Sequence, residues 1–255
     1  MEELITLKDV CYSYHSLNGE IKALQNISFQ VEKGEFVGIV GPSGCGKSTL
    51  LSLIAELTKP ECGEIITSPS HDTDDKIRIG YMLQHDHLFE WRTIYKNVIL
   101  GLELNKQMTP EKLAGVDQLL KEYGLYDFRF KKPAELSGGM KQRAALIRTM
   151  ALEPDLLLLD EPFSALDYQT RLMVSADISR LIRARNKTML IVTHDISEAI
   201  SICDKVIILS NRPATVKKIV PIKLTPTDES LLAARKAPEF QDYFNMIWEE
   251  MLNEE

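Results

Sequence analysis

The chain has 255 residues, 44% of them hydrophobic and 26% charged, with a formal net charge of −7. That balance suits a single α/β domain with a sizeable core, and it argues against a nucleic-acid partner, which needs a basic face. No stretch approaches the roughly 18 apolar residues of a membrane span, and Met1-Glu2-Glu3 lacks the basic start and apolar core of a signal peptide. Cys11, Cys45, Cys62 and Cys203 are scattered, without a CxxC pair, so neither a zinc site nor a disulfide framework is expected. This reads as a chain for a reducing cytosol, which reaches a membrane only by docking onto another protein.

Leu4–Tyr14 and Ile27–Val31 show β-rich alternation with Asn18-Gly19 between them, which predicts an antiparallel edge sheet. Phe36–Val40 is a short apolar strand running directly into Gly41, and a helical pattern follows from Lys47 to about Glu56. Ile77–Leu83 reads as another strand. From about Thr93 to Ala151 helical periodicity takes over, predicting an inserted helical subdomain with Ser137 as the N-cap of its last helix. Strand Leu156–Leu159, helix Tyr168–Arg185, strand Thr188–Val192, helix Ile196–Ile202 and strand Val206–Leu209 then alternate, the rhythm of a parallel sheet with crossover helices. Arg212-Pro213 breaks that pattern. The tail from Asp228 to Glu255 reads as one or two amphipathic helices, divided by Pro238.

Three segments carry chemistry. Gly41-Pro42-Ser43-Gly44-Cys45-Gly46-Lys47-Ser48-Thr49 fits G-x-x-x-x-G-K-[ST], in which glycines let several backbone N–H groups converge on one phosphate. The helix that follows adds its N-terminal dipole. Lys47 is expected to reach the β- and γ-phosphates of ATP, and the Ser48 hydroxyl to ligate Mg²⁺. Next, Leu156–Leu159 ends in Asp160-Glu161-Pro162, a buried strand that delivers two carboxylates to the sheet's C-terminal edge beside the phosphate loop. Asp160 is expected to hold Mg²⁺ through water and Glu161 to polarise the attacking water. Finally, Leu136-Ser137-Gly138-Gly139-Met140 sets a serine and two glycines at a helix start, a second anion site. A second site is redundant unless it serves the nucleotide of a partner copy.

With that element the chain resembles the ATP-binding-cassette ATPases, whose signature reads LSGGQ; Met140 stands where glutamine is commoner. The resemblance covers nearly the whole chain and implies one cassette domain over residues 1–255, with a helical subdomain at about 88–155 and a helical tail at about 228–255. The fold it implies is α/β, a P-loop NTPase core with an antiparallel edge sheet. It further implies that Tyr14 stacks on adenine, with Tyr12 as its rival. By the same resemblance Gln84 senses Mg²⁺ and the γ-phosphate, Asp167 of Ser164-Ala165-Leu166-Asp167 communicates across a dimer, and His194 contacts the γ-phosphate. Ser137, Gly138 and Gly139 of one copy would close over the ATP at Lys47 of another. Asp86–Thr93 and Phe163–Arg171 look like the nitrate/sulfonate/taurine importer branch, where the first segment commonly reads L-L-P-W-R-T; Glu90 replaces that proline. The partners implied are a second copy, an integral-membrane permease whose docking surface would include Phe89 and Trp91, and, indirectly, a solute-binding protein, with the chain at the cytoplasmic face of the membrane. A soluble cassette protein of translation or DNA repair would usually carry two cassettes or a long coiled-coil insertion, and a P-loop kinase would lack the LSGGM element.

Overall fold

A computed structural model describes residues 2–16, 19–68, 76–228 and 230–253. The elements run β1 (Glu3–Ser16), β2 (Gly19–Glu32), β3 (Phe36–Val40), α1 (Lys47–Ile54), β4 (Cys62–Thr67), β5 (Ile79–Met82), α2 (Ile94–Val98), α3 (Leu100–Leu104) and α4 (Pro110–Glu122). They continue with α5 (Gly138–Met150), β6 (Leu156–Asp160), α6 (Tyr168–Arg183), β7 (Thr188–Val192), α7 (Ile196–Ile202), β8 (Lys205–Leu209), β9 (Val216–Pro221), α8 (Leu231–Lys236) and α9 (Phe240–Leu252). The chain divides into two compact units, one of Met1–Ile77 with Asn186–Glu255 and the other of Arg78–Arg185.

In the first unit, β3 pairs in parallel with β7 and with β8, and β9 closes that edge antiparallel to β8. β3 and β7 are buried along their whole length, which is why they read as unbroken apolar runs rather than alternating ones. An antiparallel sheet of order β2-β1-β4 forms separately, so the expected edge sheet has a third strand. β4 was invisible to periodicity because none of its residues is fully buried. Of the expected Asn18-Gly19 turn, Asn18 lies outside the described residues and Gly19 opens β2. The β1–β4 register sets Cys11 opposite Cys62, and the two are joined in a disulfide with Cα atoms 5.0 Å apart. That corrects the reading of four scattered cysteines: the pairing depends on strand register, which linear spacing does not display. At the other end of the chain, α9 inserts Phe240 and Ile247 into a cluster with Val40, Ile200, Val206 and Ile208, tying the tail to the strand that precedes the phosphate loop.

In the second unit β5 and β6 pair in parallel, Met82 facing Leu159. Thr93, Thr109 and Ser137 cap α2, α4 and α5, each accepting a backbone N–H three residues on. Gly80 lets α5 approach β5 closely, since a Cβ there would lie 2.6 Å from the Thr149 methyl.

Candidate active site

The phosphate loop belongs to the first unit. β3 hands the chain to a loop whose curvature favours glycine at two points: Gly44 has φ +73° and Gly46 φ +124°. A Cβ on Gly46 would also sit 2.8 Å from Leu24 Cδ2. The Cys45 N–H donates to the Pro42 carbonyl at 3.3 Å, closing the turn. Lys47, only 7% exposed, folds its ammonium back onto the Gly41 and Pro42 carbonyls, 2.8 Å from each. Neither partner is a carboxylate, so an entering phosphate would meet a cation not neutralised by those bonds. Burial pushes the neighbouring Cys45 thiol pKa up, against the smaller opposing effect of Lys47. Ser48 is exposed in the first turn of α1. Tyr14, 48% exposed, bonds through its hydroxyl to Thr49 Oγ1 at 2.7 Å, while Tyr12 meets it edge-on with ring centroids 5.1 Å apart. Of the two rings, Tyr14 is the one tied to α1 with an open face. His194 is exposed between β7 and α7.

The carboxylates belong to the second unit. Asp160 ends the buried β6 at 7% exposure and accepts from the Tyr81 hydroxyl at 3.5 Å. Glu161 follows with φ +44°, a left-handed conformation that disfavours any residue with a Cβ. Its carbonyl accepts from the Ser164 N–H and hydroxyl, at 3.2 and 3.0 Å, which holds the strained turn. Such strain persists where surrounding structure imposes it and gathers at functional positions. The parallel pairing of β5 with β6 then brings Gln84 to Glu161, Nε2 donating to Oε2 at 3.3 Å. Asp167 is not part of that pair: it caps α6, accepting from the Thr170 N–H at 3.1 Å. The Thr170 side-chain and backbone hydrogen bonds hold its carboxyl below the usual range. Among the described residues no cluster of three or more His, Cys, Asp or Glu could cage a metal. A Mg²⁺ relying on one hydroxyl, phosphate oxygens and water fits this donor set.

Ser137, Gly139 and Met140 line an open cleft of about 420 Å³ with Arg143, Thr170 and Met173. Gly139 packs tightly against α6: a Cβ would lie 3.1 Å from the Thr170 methyl and 3.2 Å from Val174, so those side chains would have to shift to admit one.

In the second unit, Asn97 and Arg148 were not singled out from the sequence. Asn97, fully buried, accepts from the Phe89 N–H at 2.7 Å and donates to the carbonyls of Phe89, Arg92 and Thr93. Arg148 of α5 donates to the Asp86 and His87 carbonyls at 2.7 and 2.8 Å, and burial draws its guanidinium pKa down. Together they shape the segment that follows Gln84. On it, Trp91 is 74% exposed and stacks at a tilt on Phe89, 4.8 Å between centroids. The signal that could have found Arg148 is a cation one turn beyond the buried Ala144 and Ala145 of α5.

The ABC transporter family profile matches residues 24–164. An uncharacterized ABC transporter ATP-binding protein of Bacillus subtilis, YtlC, is 46% identical over 95% of this chain and 93% of its own length. The taurine import ATP-binding protein TauB of Roseobacter denitrificans is 35% identical over 96% of this chain and 94% of its own. Among solved structures, the dimeric ATP-binding cassette MJ0796 in a post-hydrolysis state with ADP and Pi superposes with TM-score 0.73 at 33% identity, covering 86% of this chain and 99% of that one. No helix of the described residues is long and apolar enough to cross a membrane. With its phosphate loop, its Asp160-Glu161 strand end and its Ser137 helix all inside the matched region, the chain belongs to the ABC transporter family as an ATP-binding-cassette ATPase.

Proposed function

We propose that this ATPase powers a membrane importer for a small sulfonate-like solute, taurine being the solute in the name of one relative. The observation that carries the hydrolytic part is Glu161, held in a strained backbone conformation with Gln84 on its carboxylate. In this reading Lys47 and the loop N–H groups from Gly41 to Thr49 hold the phosphates, and Tyr14 stacks on adenine. Glu161 takes a proton from the attacking water, oriented by Gln84, and His194 meets the γ-phosphate. Ser48 and Asp160 would hold Mg²⁺, directly and through water, and the ion would supply charge neutralisation on the phosphate oxygens.

The exposed Ser137–Met140 cleft is the surface expected to close over the ATP of a second copy, with Asp167 signalling across that contact. Binding and release of ATP then close and open the dimer. Trp91 and Phe89 form the permease-docking surface, an exposed aromatic pair of the kind that anchors interfaces. Through it the chain sits at the cytoplasmic face of the membrane, and only indirectly meets a solute-binding protein. The test is phosphate release from ATP with Mg²⁺ by the purified chain, with co-purification of an integral-membrane permease from the cells that express it. No turnover, or turnover with no permease retained, would refute the corresponding half.

A further inference from the structure

Arg212 entered the sequence reading only as the point where the strand–helix rhythm stops, yet it reaches the phosphate loop. Its Nε and Nη2 both donate to the Gly44 carbonyl, at 3.2 and 2.5 Å. Gly44 is the left-handed, solvent-exposed apex of that loop. We propose that Arg212 is a positioning residue for nucleotide binding, one that presets the phosphate loop by gripping its apex carbonyl from outside; this rests on the reading of residues 41–49 as the ATP site.

In a trans peptide the carbonyl of one residue and the N–H of the next point in opposite directions, so holding one fixes the other. The Gly44 carbonyl is held by Arg212, and the Cys45 N–H across the same plane donates to Pro42. The Pro42 carbonyl also accepts from Lys47 Nζ. The guanidinium, the apex plane and the phosphate-seeking ammonium thus form one connected set. Glycine supplies the needed φ at positions 44 and 46 but brings the largest loss of backbone entropy on ordering. A fork of N–H donors on the apex removes part of that loss before the nucleotide arrives.

The base from which Arg212 reaches is itself fixed. Between β8 and β9, Ser210 N–H donates to the Thr215 carbonyl at 3.0 Å and the Ser210 hydroxyl accepts from Thr215 N–H at 2.9 Å. The fully buried Ala214 is stitched to β2 in both directions, its N–H to Ala23 and its carbonyl to Gln25, each at 2.9 Å. Leu24, between those two, is the side chain against Gly46. A turn bolted to the strand that supports one end of the loop therefore extends an arginine to its apex. Among the described residues no carboxylate pairs with Arg212, so its charge adds to the positive field at the loop.

Since Arg212 touches no reacting atom, its effect falls equally on bound substrate and transition state. Arg212→Gln should raise the Kd for both ATP and ADP, and KM for ATP, about five- to tenfold, the scale of one solvent-exposed charge-assisted hydrogen bond. kcat and the melting temperature without nucleotide should not move, and KM should depend less on salt than in the parent protein. Arg212→Lys, which keeps the charge and one donor, should recover part of the affinity. Lys47→Ala serves as the control: loss of ATP binding there upholds the nucleotide site whatever Arg212→Gln does, and retention of binding would undo that site itself. Nucleotide affinity of Arg212→Gln within about twofold of the parent, or a weakened affinity that comes with a lowered melting temperature and no rescue by lysine, would overturn the proposal.

Discussion

Replacing Glu161 with glutamine separates the chemistry of this carboxylate from its place in the fold. The new amide can still present its carbonyl oxygen to Gln84 Nε2, now 3.3 Å from Oε2. Glutamine keeps the Cβ, so the backbone at φ +44° is no more strained than before. The melting temperature should therefore hold. What disappears is the proton acceptor, and loss of a general base lowers turnover by roughly 10²–10⁴-fold, which is about 2.7–5.4 kcal/mol on the barrier. Phosphate release at saturating ATP and Mg²⁺ measures that term, and fluorescent-nucleotide binding should show unchanged affinity. Size-exclusion chromatography with ATP should show a trapped dimer. Glu161→Gly tests the strain separately. It relieves a left-handed conformation costing about 1–2 kcal/mol but adds about 0.5–1 kcal/mol of glycine entropy, so it should be inactive yet no less stable. Turnover of Glu161→Gln within about tenfold of the parent would show that Glu161 is not the base and that its strain serves only the turn.

Lys47→Ala should abolish ATP binding and also cost the nucleotide-free protein about 1–3 kcal/mol, because two loop carbonyls lose a buried donor; an unchanged melting temperature would mean water replaces the ammonium without cost. Trp91→Ala should change the stability of the isolated chain by less than about 0.5 kcal/mol, since the ring is 74% exposed. If that ring anchors the permease, the same variant should weaken capture by about 2 kcal/mol, roughly thirtyfold; undiminished capture would move the docking surface elsewhere. Asp167 predicts a pH effect. Its folded pKa lies below its ordinary value of 3.8, so its stabilisation is present above that value and is lost as pH falls through the folded one. Asp167→Asn keeps an N-cap without a titrating group and should flatten the acid limb of the stability curve below about pH 4; superimposable limbs would deny the carboxylate that part.

The elements legible in the sequence are those whose burial leaves a linear trace. β3, β6 and β7 are buried throughout and bounded by Gly41, Asp160 and Thr193, so an apolar run with a hard stop predicted each of them. β4 and β9 carry mostly half-buried or exposed side chains and gave no alternation to read. With β4 went the Cys11–Cys62 pairing, which exists only in its register with β1. The same division runs through the site. Ser137 was legible because helix-end chemistry restricts which residue types can cap, and Lys47 and Asp160 could be proposed because phosphate and metal chemistry restrict which residue types would serve. Arg148, Asn97 and Arg212 were not, because each grips backbone carbonyls, and a carbonyl belongs to every residue alike.

Glu90 shows how such backbone contacts take over a role that sequence assigns to one residue type. The importer-branch resemblance leads one to expect a proline there, and a proline locks φ near −65° without help from its surroundings. Here the turn is built instead from partners. The Arg92 N–H closes onto the Phe89 carbonyl at 3.0 Å, and Asn97 grips Phe89 on both its N–H and its carbonyl. Arg92 reaches on to Glu103, and Arg148 takes the two carbonyls at 86 and 87. A glutamate left exposed at position 90 then costs the turn little, because its neighbours hold the backbone that proline would have stiffened. The shape between Gln84 and Trp91 is thereby tied to α2 through Asn97 and to α5 through Arg148. Since Ser137 caps α5, the helix that begins at the proposed second anion site also holds the segment that carries the exposed tryptophan.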